Sequence, residues 1–181
     1  KNTTLKNFKN NIYLKITRNY LRLKWFIIYL TGASVAAHNT FTQECINLMP
    51  HEDKKNSHYT TEGPSYRNSQ NGYKNLEPLY PRYEKLENFI KDLKSYIKDG
   101  KLSEAKELYT QIRLKPIDRE HYLEALEKDG IEYVEVRSID INPFEKSGIS
   151  KQGAEFVHLF LVYLLLMKED EYPKWQEEAL Y

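Results

Sequence analysis

The chain has 181 residues, enough for one ordinary domain with a core of its own. Its 27 basic and 26 acidic residues leave a formal charge of +1, which excludes a nucleic-acid-binding protein built on a large basic excess but not a local basic site. A single cysteine, Cys45, excludes an intrachain disulfide framework and a cysteine-based zinc site, and points to a reducing, cytoplasmic setting.

No secretory signal is visible, because Arg18, Asn19, Arg22 and Lys24 interrupt the first apolar stretch. The longest apolar run, 156–167, is shorter than the roughly 20 residues a bilayer takes, so no membrane association is expected. The chain begins with Lys1 inside an apparent helix, which leads us to expect a missing N-terminal part.

From the start, apolar residues recur at Leu5, Phe8, Ile12, Ile16, Tyr20, Leu23, Ile27 and Leu30. Steps of three and four predict one long amphipathic helix, stopped at Gly32. Such a helix needs a partner surface, and little in the chain precedes it. Residues 35–75 lack periodicity and are rich in Asn, Ser, Thr, His and Gly, so a long loop region is expected there. A loop of that length is either functional or packed against other parts of the protein. A second helix is predicted over 83–97, on Leu86, Phe89, Ile90, Leu93, Tyr96 and Ile97. Alternation of Leu108, Thr110, Ile112 and Leu114 with Tyr109, Gln111 and Arg113 predicts a strand over 105–114. Asp118 is placed as the N-cap of a short helix running to 128, followed by a turn at Asp129-Gly130. Residues 131–141 read as the strongest strand, rich in β-branched residues and closed by Asn142-Pro143. Ser150 caps a last helix to 168.

The strand at 131–141 carries the most chemistry. Alternation points Tyr133, Glu135 and Arg137 one way and turns Val134 and Val136 toward a core. A carboxylate beside a guanidinium on a rigid strand suits a metal–phosphate site: the carboxylate offers oxygen to Mg²⁺, and the guanidinium offsets charge on a transferring phosphoryl group. Spacing alone is equally met by an exposed Glu–Arg pair on a sheet surface. Arg113 fits either a phosphate contact or an external salt bridge. His38, His51 and His58 share the loop region but match no zinc spacing. Cys45 has no local basic neighbour to activate it. Phe156, Leu159 and Tyr163 lie at helical spacing as core, not as a cofactor box.

The run Glu135-Val136-Arg137-x-x-Asp140-x-Asn142-Pro143-Phe144 resembles the signature of the bacterial glutamate–cysteine ligases. Three further stretches agree in order and spacing. Arg18-Asn19-Tyr20, with Trp25, Tyr29-Leu30 and Gly32-Ala33-Ser34, resembles the family's helix and turn. Ser65-Tyr66-Arg67, with Gly72-Tyr73 and Asn75-Leu76-Glu77-Pro78, resembles its Ser-Leu-Arg…Gly-Tyr segment, and the Leu-Glu-Pro ending is similar to the bifunctional glutathione synthases of Gram-positive bacteria. Lys106-Glu107-Leu108-Tyr109 with Arg113 resembles the Glu-x-Tyr-x-x-x-Arg stretch. Val35 stands where the family usually has proline, and Tyr66 where it has leucine. No Glu-x-Glu motif precedes Arg18, so the resemblance covers the middle of the family's catalytic domain.

This resemblance implies an α+β fold centred on an antiparallel sheet, glutamine-synthetase-like and here incomplete, with residues 1–181 as its central part. It implies ATP-dependent ligation of the γ-carboxylate of glutamate to the amine of cysteine through a γ-glutamyl phosphate, the first step of glutathione biosynthesis. ATP and Mg²⁺ or Mn²⁺ are the implied nucleotide and metal. Glutamate, cysteine and the remainder of the parent chain are the implied partners, with no nucleic acid. By motif position Glu135 resembles the metal-binding glutamate and Arg137 the arginine facing the phosphates. Arg67 resembles the arginine that holds substrate glutamate, a task for which a guanidinium suits a carboxylate better than an ammonium does. Tyr73 and Tyr109 resemble tyrosines of the cysteine pocket. The alternative is a truncated, non-catalytic remnant of such a ligase, acting at most as an interaction module.

Overall fold

The three-and-four spacing at the N-terminus forms a single helix, α1 (Leu5–Thr31). It is followed by β1 (Ala36–His38), β2 (His51–Glu52), β3 (Ser57–Tyr59), α2 (Leu86–Lys98), a 3-10 turn (Ala105–Glu107), β4 (Ile112–Lys115), α3 (Tyr122–Asp129), β5 (Tyr133–Val136) and α4 (Lys151–Leu166). The computed structural model of the chain describes residues 4–41, 46–47, 49–53, 55–61, 63–69, 72–75 and 77–169. The architecture is α+β: β1-β3-β2 form one antiparallel sheet and β4-β5 another. The chain divides into two units, one of residues 1–23, 75–137 and 159–181, the other of 24–74 and 138–158.

The first unit holds most of the buried apolar side chains. Leu86, Phe89, Ile90 and Leu93 form the buried stripe of α2, at the spacing of one helix face. Ile112 and Leu114 of β4 and Leu126 of α3 are fully buried. The middle of α1 is buried on more than the predicted side, since Asn10, Leu14, Thr17 and Leu21 are inside as well as Ile16 and Tyr20. The ends of the predicted stripe, Leu5, Phe8 and Leu30, are exposed. Asn10 and Asn19 can enter because they are bonded, whereas the buried Thr17 hydroxyl has no hydrogen-bond partner among the described residues. Asn19 Nδ2 donates to Leu164 O of α4 at 2.9 Å, and Asn10 Oδ1 accepts from Ile131 N at 2.8 Å. Gly130 permits the second bond: its φ is +84°, and a Cβ there would stand 2.5 Å from Asn10 Oδ1. Arg18 pairs with both oxygens of Glu169, at 2.5 and 2.8 Å, and donates to Tyr83 O at 2.6 Å.

The second unit is built differently. Among the described residues its buried apolar side chains are Ile27, Ile46 and Met49, against buried polar Ser65, Ser138 and Asp140. Polar bonding carries a large share of its order.

Several elements depart from the sequence expectation. The region 35–75 contains three strands of two or three residues, too short to display an alternation. The strand predicted over 105–114 is a 3-10 turn and then β4, because β4 pairs only where β5 faces it, Ile112 with Val136 through Lys115 with Tyr133. For the same reason the strand predicted over 131–141 is paired only over Tyr133–Val136. Val134 and Val136 are half-buried rather than core. Asp118 does not cap α3, whose N-cap is His121. Its carboxylate instead closes the turn before the helix, accepting from Glu120 N at 2.8 Å and His121 N at 3.3 Å. Ser150 does cap α4, accepting from Gly153 N at 3.0 Å.

Candidate functional site

In an antiparallel pair, directly opposed residues share a face. The β4-β5 register sets Arg113 opposite Glu135 and Lys115 opposite Tyr133. One face therefore carries Arg113, Lys115, Tyr133 and Glu135, and Arg137 follows the same alternation just past the strand, where its N–H donates to Gln111 O at 2.8 Å. The opposite face presents Ile112 and Leu114 to the core. The hydrophobic pattern of β4 thus fixes where its cations point.

Glu135 is the acidic centre of this face. Its Oε2 lies 2.8 Å from Lys115 Nζ and its Oε1 lies 3.8 Å from Arg137 Nε. Partial burial pushes its carboxyl upward, but the Lys115 bond and the charges of Lys115, Arg137 and Arg113 outweigh burial and hold it below the ordinary carboxylate range. Arg113 is pulled down, first by burial and then by the charge of Arg137, and stays cationic at neutral pH. One of its terminal nitrogens donates to Leu108 O at 2.8 Å, while its buried Nε has no hydrogen-bond partner among the described residues. Three cations thus surround one carboxylate, and one of them has an N–H without a partner there. That arrangement attracts a polyanion.

Arg67 and Tyr73 belong to the second unit. Gly72 lets the chain fold back on itself: a Cβ there would stand 2.2 Å from Arg67 O. Tyr73 N donates to that same carbonyl at 3.1 Å, and the Arg67 guanidinium lies over the Tyr73 ring, 5.2 Å from its centre. Upstream, Ser65 bridges Ser34 in parallel, and Tyr66 N donates to Ser34 O at 3.0 Å. A cavity of about 330 Å³ opens beside this turn, lined by Ser34, Ala36, Ala37, Phe41, Met49 and Tyr66 among others.

The chain matches the glutamate–cysteine ligase family over residues 1–103 and 97–180. It belongs to that family. The glutathione biosynthesis bifunctional protein of Listeria welshimeri is 40% identical over 170 residues, which cover 94% of this chain and 22% of the relative. That of Clostridium perfringens is 39% identical over 174 residues, 96% of this chain and 22% of the relative. The chain thus spans about a fifth of the length of these curated relatives. Two crystal structures share the fold. A bifunctional glutathione synthetase from Pasteurella multocida superposes with a TM-score of 0.78 at 27% identity, over 98% of this chain and 21% of that one. A glutamate–cysteine ligase from Francisella tularensis in complex with AMP superposes with a TM-score of 0.77 at 28% identity, over 94% of this chain and 40% of that one.

Within this member of the glutamate–cysteine ligase family, Glu135, Arg137 and Arg113 stand together on one strand face. Tyr109 precedes β4 in the same unit, its N–H donating to Asn75 Oδ1 at 2.9 Å. Arg67 and Tyr73 stand together in the other unit. Lys115 is the residue that sequence reasoning missed. Its signal was the alternation with Arg113, hidden because the predicted strand ended at Leu114. The histidines do not gather: His38 Nδ1 lies 3.0 Å from Thr40 Oγ1, His51 stacks on Tyr59, and the described residues contain no group of three or more His, Cys, Asp or Glu fit to hold a metal. Cys45 lies outside the described residues. No helix among the described residues is long and apolar enough to cross a membrane.

Proposed function

We propose that this chain supplies the central part of a glutamate–cysteine ligase catalytic domain, which uses ATP to join the γ-carboxylate of glutamate to the amine of cysteine through a γ-glutamyl phosphate. The observation that carries this reading is Glu135 encircled by Lys115, Arg113 and Arg137 on the β4-β5 face. Membership of the family supports it, as does the AMP named with the Francisella relative. The finer fold assignment, a glutamine-synthetase-like antiparallel sheet completed by the remainder of the parent chain, belongs to the same proposal. Both described sheets are antiparallel, which supports it.

Phosphoryl transfer spreads negative charge over the equatorial oxygens of the moving group, so the protein's main task is placement of compensating charge. Arg137 offers a planar fork to two phosphoryl oxygens, and Lys115 a compact point charge. Arg113, whose Nε has no hydrogen-bond partner among the described residues, adds a third positive charge. A divalent ion, when bound, shields the triphosphate. Glu135 would fit it as one oxygen ligand if Lys115 turned from the carboxylate to the phosphates; the other described side chains of that face are Arg113, Lys115, Tyr133 and Arg137, none of them a carboxylate. That is consistent with Mg²⁺, which usually takes one or two carboxylates and otherwise phosphate and water. Arg67 pairs with a carboxylate of glutamate, and Tyr73, under its guanidinium, borders the cysteine. The cavity beside Ser34 and Tyr66 lies at the small end of the ligand-pocket range, as an amino-acid substrate requires. A substrate thiol places the reaction in the reducing cytoplasm.

The test uses the protein expressed from its complete gene. Phosphate release from ATP that requires both glutamate and cysteine, with γ-glutamylcysteine as product, is the expected result. A folded protein without it would be the truncated, non-catalytic remnant.

A further inference from the structure

Asp140 is a buried carboxylate in the second unit, and both of its oxygens accept hydrogen bonds. Oδ2 accepts from Ala33 N at 2.9 Å and from Ser34 Oγ at 2.6 Å, and Oδ1 accepts from Ser65 Oγ at 3.0 Å. A carboxylate only accepts, and a hydroxyl has one proton to give. Both serine protons therefore point at Asp140, and both serine oxygens are left as acceptors for the loop that follows. Ser65 Oγ accepts from Asn68 N at 3.3 Å and Asn68 Nδ2 at 2.8 Å, and that amide also donates to Ser138 O at 2.9 Å. Ser34 Oγ faces Arg67 N at a longer 3.5 Å. Arg67 thus sits between residues whose hydroxyl orientations Asp140 decides. It stands on no helix or strand, in a unit with little apolar burial.

We propose that Asp140 is a positioning residue for Arg67, acting through Ser34 and Ser65 to hold the loop that presents the guanidinium. It does not touch substrate itself. This rests on the reading of Arg67 as the residue that holds glutamate. Asp140→Asn keeps the shape but replaces one acceptor oxygen with an NH₂ group, which then faces donors. One hydroxyl must turn, and with it the acceptor it offers to the loop.

The experiment is steady-state kinetics of Asp140→Asn and Arg67→Lys in the protein expressed from its complete gene. The expected result for Asp140→Asn is a glutamate KM raised about tenfold, with kcat within about threefold and the ATP KM within about twofold, the split produced by losing ground-state binding at one substrate only. A purely structural role would lower the yield of active protein and leave every KM unchanged. If Arg67→Lys raises the glutamate KM and Asp140→Asn does not, the positioning role is overturned and the Arg67 reading stands. If Arg67→Lys leaves the glutamate KM unchanged, the Arg67 reading is overturned and the positioning role goes with it. Should Asp140→Asn fail to fold, Ser65→Ala decides, since it removes one donor and leaves the carboxylate. A glutamate KM raised about threefold supports the proposal, and an unchanged one overturns it.

Discussion

Glu135→Gln is the sharpest perturbation of the strand face. The wild-type face sets one carboxylate against the cations of Arg113, Lys115 and Arg137. Glutamine keeps the volume and one acceptor oxygen but raises the local charge by one and removes the only anionic oxygen donor described on that face. ATP attraction should survive, because the cations remain, whereas recruitment of Mg²⁺ should not. Loss of one preorganised electrostatic contact of this kind costs about 3–4 kcal/mol of transition-state stabilisation, or roughly 100- to 1000-fold in kcat. The Mg²⁺ concentration for half-maximal rate should rise by about tenfold or more, and the ATP KM should shift far less. Glu135→Asp is the companion variant, retaining the charge but withdrawing it by one methylene. The assay is ATP-, glutamate- and cysteine-dependent phosphate release over a Mg²⁺ titration. Near-normal kcat with an unchanged Mg²⁺ dependence in Glu135→Gln would refute the metal role.

Two further outcomes concern the same strand face and one the packing of α1. Glu135 has a folded-state pKa below its ordinary value of 4.5, so its contribution to stability is present above that value and is lost as pH falls through the folded pKa. Unfolding midpoints of wild type and Glu135→Gln should therefore differ at neutral pH and converge in acid below the ordinary value. A gap that persists there would show the difference is not the carboxylate's charge. Lys115→Met keeps the buried stem but leaves Glu135 without its closest cation, so the ATP KM should rise while the fold loses only about 1 kcal/mol, as expected for a partly exposed pair. An unchanged ATP KM would place Lys115 outside the phosphate site. Asn19→Ala removes a fully buried amide and strands the Leu164 carbonyl, so urea unfolding should show a loss of about 2–3 kcal/mol. A loss under about 0.5 kcal/mol would mean that α1 and α4 are tied some other way.

Two kinds of information were readable from residue order. The period of α1 is local, since each apolar residue needs only its own chain three or four positions on, and the helix appears where the spacing puts it. The Glu135–Phe144 run is contiguous, and with its companion stretches it was enough to identify the family. Arg18, Asn19 and Tyr20, part of that resemblance, prove to be tertiary ties: a salt bridge to Glu169, a bond to Leu164 and an edge-on contact with Phe160. Nothing in their spacing says so. Strand limits were misread for the same reason. A strand ends where its partner ends, and the four residues of β4 are chosen by β5, some twenty positions later. Lys115 joins the site only through that register, and Asp140 reaches Ser34 and Ser65 only because the fold returns residues more than seventy positions apart to one place. Sequence alone determined the helix, the family and the candidate Glu135–Arg137 pair, because these are local or contiguous. Tertiary structure decided which cations surround Glu135 and what holds the loop of Arg67, because cross-strand register and buried hydrogen bonds exist only between segments far apart in the chain.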